Sequence, residues 1–332
     1  MPTIYDVAKA AGVSIATVSR VLNGYPFVAE KTREKVLRAM QELNYSPNLL
    51  AAALMKKNTY TVGLLIPDIS NPFFAEITRG VEDAANKFGF NIIICNTDND
   101  PEKETKYVNL LLQKSVDGLI FATSEIANQN ILMLKERQFP LVLIAREVEG
   151  IEVDVVLADN FQGAYEGVKY LISLGHHRIA FLGESLNIKS TRERQAGYEK
   201  ALQEAGIPVE AELIVTGLKS LEEAYHRMRL FYPKARPTAV FAANDVLAIG
   251  AIRALKELGL SIPGDVSVLG FDDTIFASIA EPPLSSVAQP MRQMGKMAMT
   301  RLISRIRNKE EKCRRLVLPT KLVIRASTKA CS

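Results

Sequence analysis

Cysteine is scarce: the 332 residues hold three, Cys95, Cys313 and Cys331. Their number is odd and their spacing fits no metal-ligand motif, which argues against a disulfide framework and a zinc site. Histidine is as rare, at three. His176 and His177 stand in SLGHHRIAFL before a β-type run and His226 in a helical one, with no nucleophile elbow or paired metal ligand beside them. A role in the fold is expected for all three. Phosphate-binding glycine loops of the GxGxxG and GxxxxGK[ST] types are missing. Enzyme readings therefore lack residues for their chemistry, and neither cofactor nor metal is expected. No apolar run reaches the roughly 18 residues needed to span a bilayer. The N-terminus lacks the basic-then-apolar pattern of a secretory signal, so the expected location is the cytoplasm, with no membrane partner.

What is present divides unevenly. The net charge of +4 arises within residues 1–60, which hold eight Lys and Arg against four Asp and Glu, while the remainder is balanced. A small basic head on a larger neutral body suggests an anionic partner for the head. The basic stretch around Arg301, Arg305, Arg307, Lys312, Arg314 and Arg315 reads as a solvated face.

The head reads as three short helices. Thr3 and Asp6 make a capping-box-like start, and Gly12 ends the first helix. Ser14 caps a second, ended by Gly24 and Pro26, and a third from Glu30 to Leu43 puts Val36, Leu37, Met40 and Leu43 on one stripe. This is the helix-turn-helix arrangement. The second helix, VSIATVSRVLNG, carries an apolar set (Val18, Val21, Leu22) and a second face of Ile15, Ala16, Thr17, Ser19 and Arg20 whose purpose its composition leaves open. Pro47 breaks the chain again, and Leu49 to Leu54 is helix-prone but too short to hold alone.

From Thr61 onward, apolar β-runs alternate with amphipathic helices: TVGLLIP, FNIIICNT, DGLIFAT, PLVLIAR, DVVLAD, RIAFLGE, AVFAAND and VSVLGFDD. Runs without polar alternation fit parallel strands covered on both faces. Their number exceeds one comfortable open sheet, so the class is α/β with two doubly wound parallel-sheet subdomains. Helices are expected at 73–88, 102–114, 161–174, 192–205 and 245–258. Crossovers between subdomains are expected near 156–161 and 285–290.

Ligands of open α/β sheets bind beyond the carboxyl ends of strands. There this chain carries Asp68, Asn71, Asn96, Asp98, Arg146, Asp159, Asn160, Asn244, Asp245, Asp272 and Asp273, with Phe73 and Phe74 close by. Carboxylates and amides match the donor and acceptor of each hydroxyl, and an aromatic ring covers the apolar face of a sugar. The alternative is that these residues only begin turns and cap helices, most of all Asp245 and Asp273.

Together these residues resemble the lactose/galactose repressor (LacI/GalR) family of bacterial transcription regulators. TIYDVAKAAGVSIATVSRVLNG resembles its helix-turn-helix signature, NYSPNLLAAAL its hinge, and VGLLIPDISNPFFAEITRGVEDAA the start of its effector domain. LGHHRIAFLGE, RERQAGYEKAL, PTAVFAANDVLAIGAIRALKELGLSIPGDVSVLGFDD and PPLSSVAQP match in the same order, so the resemblance covers essentially the whole chain. It implies a head at 1–46, a hinge helix and linker at 47–60, and a periplasmic-binding-protein-like body at 61–332. The N-subdomain would comprise about 61–159 and 288–318, and the C-subdomain about 160–287 and 319–332.

The resemblance further implies a homodimer on double-stranded, pseudo-palindromic operator DNA. Ile15, Ala16 and Arg20 would face base edges, with Thr17, Ser19 and Asn23 near bases or phosphates. Tyr5, Ser14, Thr32 and Asn48 would contact the backbone; Ala51 belongs to the hinge contact and Leu54 would wedge a central base step. For the effector pocket it carries over Phe73, Phe74, Arg146, Arg192, Asn244 and Asp272. Relatives often carry Arg in place of Ala52, Asp in place of Ala145, and an aromatic residue near Leu218 and Lys219. The effector is therefore expected only as a class, a sugar or sugar phosphate, with a purine-type corepressor as the alternative and no sequence reason to assert a protein corepressor. A chain ending at Ser332 leaves no room for a heptad-repeat tail, so a dimer is expected. A stand-alone sugar-binding transport protein would share the body but need a signal peptide and no head.

Overall fold

The head begins with α1 (Ile4–Ala11), α2 (Ile15–Leu22) and α3 (Glu30–Glu42). Both the amide and the hydroxyl of Thr3 donate to Asp6 Oδ2 at 2.7 Å, fixing the start of α1, and Gly12 closes it with φ 64°. Ser14 Oγ accepts from Thr17 N at 3.1 Å and starts α2. Val7, Ala8, Val18, Val21, Val36 and Ala39 form the buried centre. The expected stripe on α3 changes at one position: Leu37 is 47% exposed and Ala39 lies inside. Residues 36, 39, 40 and 43 follow the three-and-four spacing of one helical face, and position 37 falls about 100° away from position 36.

The computed structural model describes residues 2–22, 25–45, 59–122, 129–148, 150–308 and 311–331. Asn23, Asn48, Ala51 and Leu54, with nearly all of the expected hinge, lie outside the described residues. The chain divides into two units, Met1–Thr59 and Tyr60–Ser332.

In the second unit the strands are β1 (Thr61–Ile66), β2 (Asn91–Asn96), β3 (Gly118–Phe121), β4 (Leu141–Ile144), β5 (Asp154–Ala158), β6 (Ile179–Leu182), β7 (Ile214–Val215), β8 (Ala239–Ala242), β9 (Ser267–Asp272), β10 (Ser285–Ala288), β11 (Arg315–Leu318) and β12 (Lys321–Val323). The helices are α4 (Pro72–Phe88), α5 (Pro101–Gln113), α6 (Gln129–Glu136), α7 (Asn160–Ser173), α8 (Lys189–Glu204), α9 (Leu221–Ala235), α10 (Asp245–Glu257), α11 (Ile275–Ile279) and α12 (Met291–Arg307). Two six-stranded sheets result, in the orders β11-β5-β4-β3-β1-β2 and β12-β10-β9-β8-β6-β7. Neighbouring strands are parallel except β12, which runs antiparallel to β10.

The apolar runs are continuous because each sheet is covered on both sides. In β1, Leu64 packs under α4 and α12 while Leu65 packs under α5 and α6. The second sheet is likewise closed by α9 and α10 on one face and α7 and α8 on the other. Helices α4 and α12 cross in close contact: a Cβ on Gly80 would overlap the Arg292 carbonyl oxygen, and one on Gly295 the Ile77 carbonyl oxygen.

Three crossovers join the sheets. The chain leaves the first after Ala158, returns after Ala288 and passes back between Leu318 and Lys321. The stretch SSVAQP, expected as the return itself, is largely β10, and the return begins at Gln289.

Candidate functional site

The head presents one helical face to solvent. On α2, Val18 and Val21 turn inward, and Ile15 (41% exposed), Ala16 and Arg20 turn outward, with Thr17 and Ser19 half-buried between. The outward set is apolar at the start of the helix and cationic near its end. Tyr5 and Ser14 are exposed and Thr32 is half-buried. The hydroxyls of Ser14 and Thr17 bond each other at 2.9 Å, so Thr17 is held by the cap of its own helix.

The second unit carries a polar cavity of about 40 Å³ at the carboxyl ends of strands from both sheets. Asn71, Phe73, Phe74, Ala145 and Arg146 line it from the first sheet's side, and Glu184, Ser190, Arg194, Asn244 and Asp272 from the second's. Asn71 caps α4 by accepting from Phe73 N at 3.0 Å, which sets the following phenylalanines at the mouth of the helix. Their rings meet edge to face, with centroids 5.0 Å apart. Asn244 caps α10 in the same way, accepting from Leu247 N at 2.9 Å. In both asparagines the oxygen serves the helix, which leaves the amide NH₂ as the group to offer a ligand.

Asp272 ends β9 with φ 106°, a left-handed backbone that an aspartate adopts only where its surroundings hold it. Gln289 Nε2 donates to its Oδ1 at 2.6 Å, and Arg194 Nη1 lies 3.6 Å from the same oxygen. Burial pushes the Asp272 carboxyl well above the usual carboxylate range; Arg194 opposes this, and the charges of Asp245 and Glu184 add to it. Arg194 is itself fixed from several directions. Its Nε donates to Asn160 Oδ1 at 3.0 Å, its Nη1 donates to the Ala243 carbonyl, and its guanidinium lies 3.9 Å over the Phe271 ring.

Behind this wall Asp245 is fully buried and holds the strained turn in place. It accepts from Thr274 N at 2.6 Å, Thr274 Oγ1 at 2.9 Å and Ser286 Oγ at 2.6 Å. Burial drives its carboxyl up to about 6, against those hydrogen bonds. Asp273 is paired with Arg325 at 2.6 Å. Asp245 and Asp273 thus support the fold, as do Asp159, the cap of α7, and Asn96, which accepts from Ile69 N at 2.8 Å. Asp68 accepts from Ser70, and Asp98 pairs with Lys103.

Five of the six expected pocket residues, Phe73, Phe74, Arg146, Asn244 and Asp272, therefore meet at one cavity. Arg192 does not line it: its Nη1 donates to the Leu186 carbonyl at 2.7 Å, and Arg194 takes the place. The helical period carries that correction. The buried positions of α8 are Thr191, Arg194, Gly197, Tyr198, Ala201 and Leu202, and residue 192 lies off this stripe. Glu184, Ser190 and Arg194 are the residues that sequence reading missed. The histidines sit elsewhere: His176 is buried, with Nδ1 3.1 Å from Thr238 Oγ1 and Nε2 3.0 Å from Ser267 Oγ and 3.1 Å from the Lys329 carbonyl. Among the described residues no helix is long and apolar enough to cross a membrane, and no group of His, Cys, Asp and Glu is arranged to hold a metal ion.

Comparison with known proteins gives these two sites a family. Residues 3–48 match the model for bacterial regulatory proteins of the lacI family, and residues 59–326 match that for periplasmic binding proteins and the sugar binding domain of the LacI family. The HTH-type transcriptional regulator DegA of Bacillus subtilis is 44% identical over 329 residues, covering 98% of each chain. Among solved structures, the lac repressor dimer bound to operator and the anti-inducer ONPF superposes with a TM-score of 0.89 at 32% identity, covering 99% of both chains. A complex of the transcriptional regulator CelR with cellobiose matches with a TM-score of 0.77 at 34% identity, covering 98% of this chain and 100% of that one. The chain belongs to the LacI family of DNA-binding transcriptional regulators.

Proposed function

We propose that this protein represses transcription as a cytoplasmic homodimer on a pseudo-palindromic operator, and that a small polyhydroxylated effector in the cavity around Asp272 controls its hold on DNA. The observation that carries the effector reading is the cavity itself. Amide donors from two helix caps, two carboxylates, two guanidiniums and a phenylalanine pair converge at the sheet ends, a set suited to hydroxyls and to a sugar face. The related structures described with an anti-inducer and with cellobiose support the same reading.

A volume of about 40 Å³ holds little more than water, so a sugar enters only when the two subdomains open. The three crossovers are the hinge for that motion. Closure on the effector repacks the N-subdomain across the dimer, changes the spacing of the heads, and favours or disfavours helix formation at 47–60, where Asn48 and Ala51 meet the backbone and Leu54 enters a base step. Coupling of roughly 1–3 kcal/mol changes operator affinity by about 5- to 150-fold.

On DNA, α2 lies in the major groove. Ile15 and Ala16 touch thymine methyls and Arg20 forks onto guanine, with Thr17, Ser19 and Asn23 flanking and Tyr5, Ser14 and Thr32 on phosphates. Calorimetry against pentoses, hexoses, sugar phosphates and purines, with and without operator, tests the effector reading. Binding of a sugar or sugar phosphate that changes operator affinity is expected; response to a purine alone would overturn it.

A further inference from the structure

We propose that Glu184 makes the cavity select an uncharged polyhydroxylated effector and reject its phosphate ester. The inference rests on the sugar-type reading of the cavity above and narrows it. Glu184 follows β6, where its carbonyl accepts from Gly217 N at 3.0 Å, and it lines the cavity from a half-buried position. Among the described residues its carboxylate has neither a hydrogen-bond nor an ion-pair partner. It also lies close enough to Asp272 to act on that carboxyl's charge. A carboxylate held in a narrow polar cavity beside a second one calls for ligand donors, and hydroxyls supply them without adding charge.

A phosphate meets the opposite situation. At neutral pH it carries a charge of about −1.5 to −2 and seeks helix N-termini and unengaged guanidiniums. Three helices begin at this cavity: in α4 and α10 the side chains of Asn71 and Asn244 each bond one first-turn amide, and α8, which brings Ser190 to the wall without a side-chain cap, shares that wall with the carboxylate of Glu184. Arg194 commits Nε to Asn160 and Nη1 to the Ala243 carbonyl and Asp272, and its guanidinium lies over Phe271, so much of its charge is already compensated by the protein's own groups. A phosphate would gain the field of Arg146 and oppose those of Glu184 and Asp272. The amide NH₂ groups of Asn71 and Asn244 instead suit hydroxyl oxygens, with Glu184 accepting the hydroxyl protons.

The test is calorimetry on the full-length protein with matched pairs: ribose and ribose 5-phosphate, glucose and glucose 6-phosphate, cellobiose and its 6-phosphate, with hypoxanthine as a separate arm. In at least one pair the free sugar should bind at least about 10-fold tighter than its ester. Glu184→Gln should weaken the free sugar and bring the pair to within about 3-fold, with thermal melting confirming the variant as folded. Preference for the ester in the wild type, or discrimination unchanged in Glu184→Gln, overturns the role of Glu184 and leaves the sugar reading standing. Binding of hypoxanthine alone, or of no probe up to about 10 mM, overturns both.

Discussion

Arg194 reaches Asp272 across 3.6 Å with both side chains only 7% exposed, so each charge is the other's principal compensation inside the protein. Breaking a buried pair from one side leaves an isolated charge and costs about 3–5 kcal/mol, whereas removing both charges together costs much less. Arg194→Met should therefore lower the stability of the body by an amount of that order in urea denaturation, and Arg194→Met combined with Asp272→Asn should recover most of it. A double variant as unstable as the single one would show that the guanidinium matters through Asn160 and Phe271 instead.

The exposed face of α2 makes a prediction about bases. Losing a good bidentate contact to guanine costs about 1–3 kcal/mol of discrimination. Arg20→Ala should weaken operator binding by that amount in gel-shift titration and relax preference at one half-site position, leaving non-specific binding nearly unchanged. Replacing the thymines under Ile15 and Ala16 by uracil should weaken the wild type further, because neither side chain has a polar group to compensate for the missing methyl.

His176 gives the stability a pH dependence of known sign. Burial lowers its pKa below the usual 6.5, so the folded state prefers the neutral ring and the unfolded state takes up the proton first. Its contribution is full above about pH 6.5 and is lost as the pH falls from there toward the folded value. Asp245, raised to about 6, gains its proton over an overlapping range with the opposite effect, so the comparison must be made by difference. Urea midpoints for the wild type and His176→Gln should converge as the pH drops from about 7.5 to about 5.5; parallel curves would exclude titration of this ring.

Gly295 should tolerate no side chain. Its Cβ would overlap the Ile77 carbonyl where α12 crosses α4, and overpacking of this kind costs about 1–3 kcal/mol or more. Gly295→Ala should lower the melting temperature measurably, while Gly206→Ser, at an open position with φ 70°, should show only the milder strain of a left-handed backbone.

The long apolar runs made the fold readable. TVGLLIP beyond its half-buried Thr61 and AVFAAND throughout are buried, so their sequences carry one unambiguous signal, and the helices between them begin at visible caps such as Asn71 and Asn244. The edge strands β7, β11 and β12 escape that reading because β7 holds only two residues, while β11 and β12 hold four and three and mix a cation with apolar positions. Phe73, Phe74, Asn244 and Asp272 were legible from their places at strand ends and helix starts. Arg194 was not, because RER offers two cations and only the helical stripe decides between them. Glu184 was hidden for another reason: a glutamate after a glycine at a strand end looks like a turn residue until the opposite sheet is brought against it.

The crossover at Pro319–Thr320 ties the two sheets to a common fate. Strand β11 finishes one edge of the first sheet beside β5, and β12, beginning three residues later, finishes one edge of the second beside β10. Both subdomains thus wait for the same nine residues, 315–323. Until those residues arrive, β5 and β10 stand with open hydrogen-bonding edges, the state most prone to pairing with another chain. A premature stop or a protease cut before Arg315 would expose both edges at once.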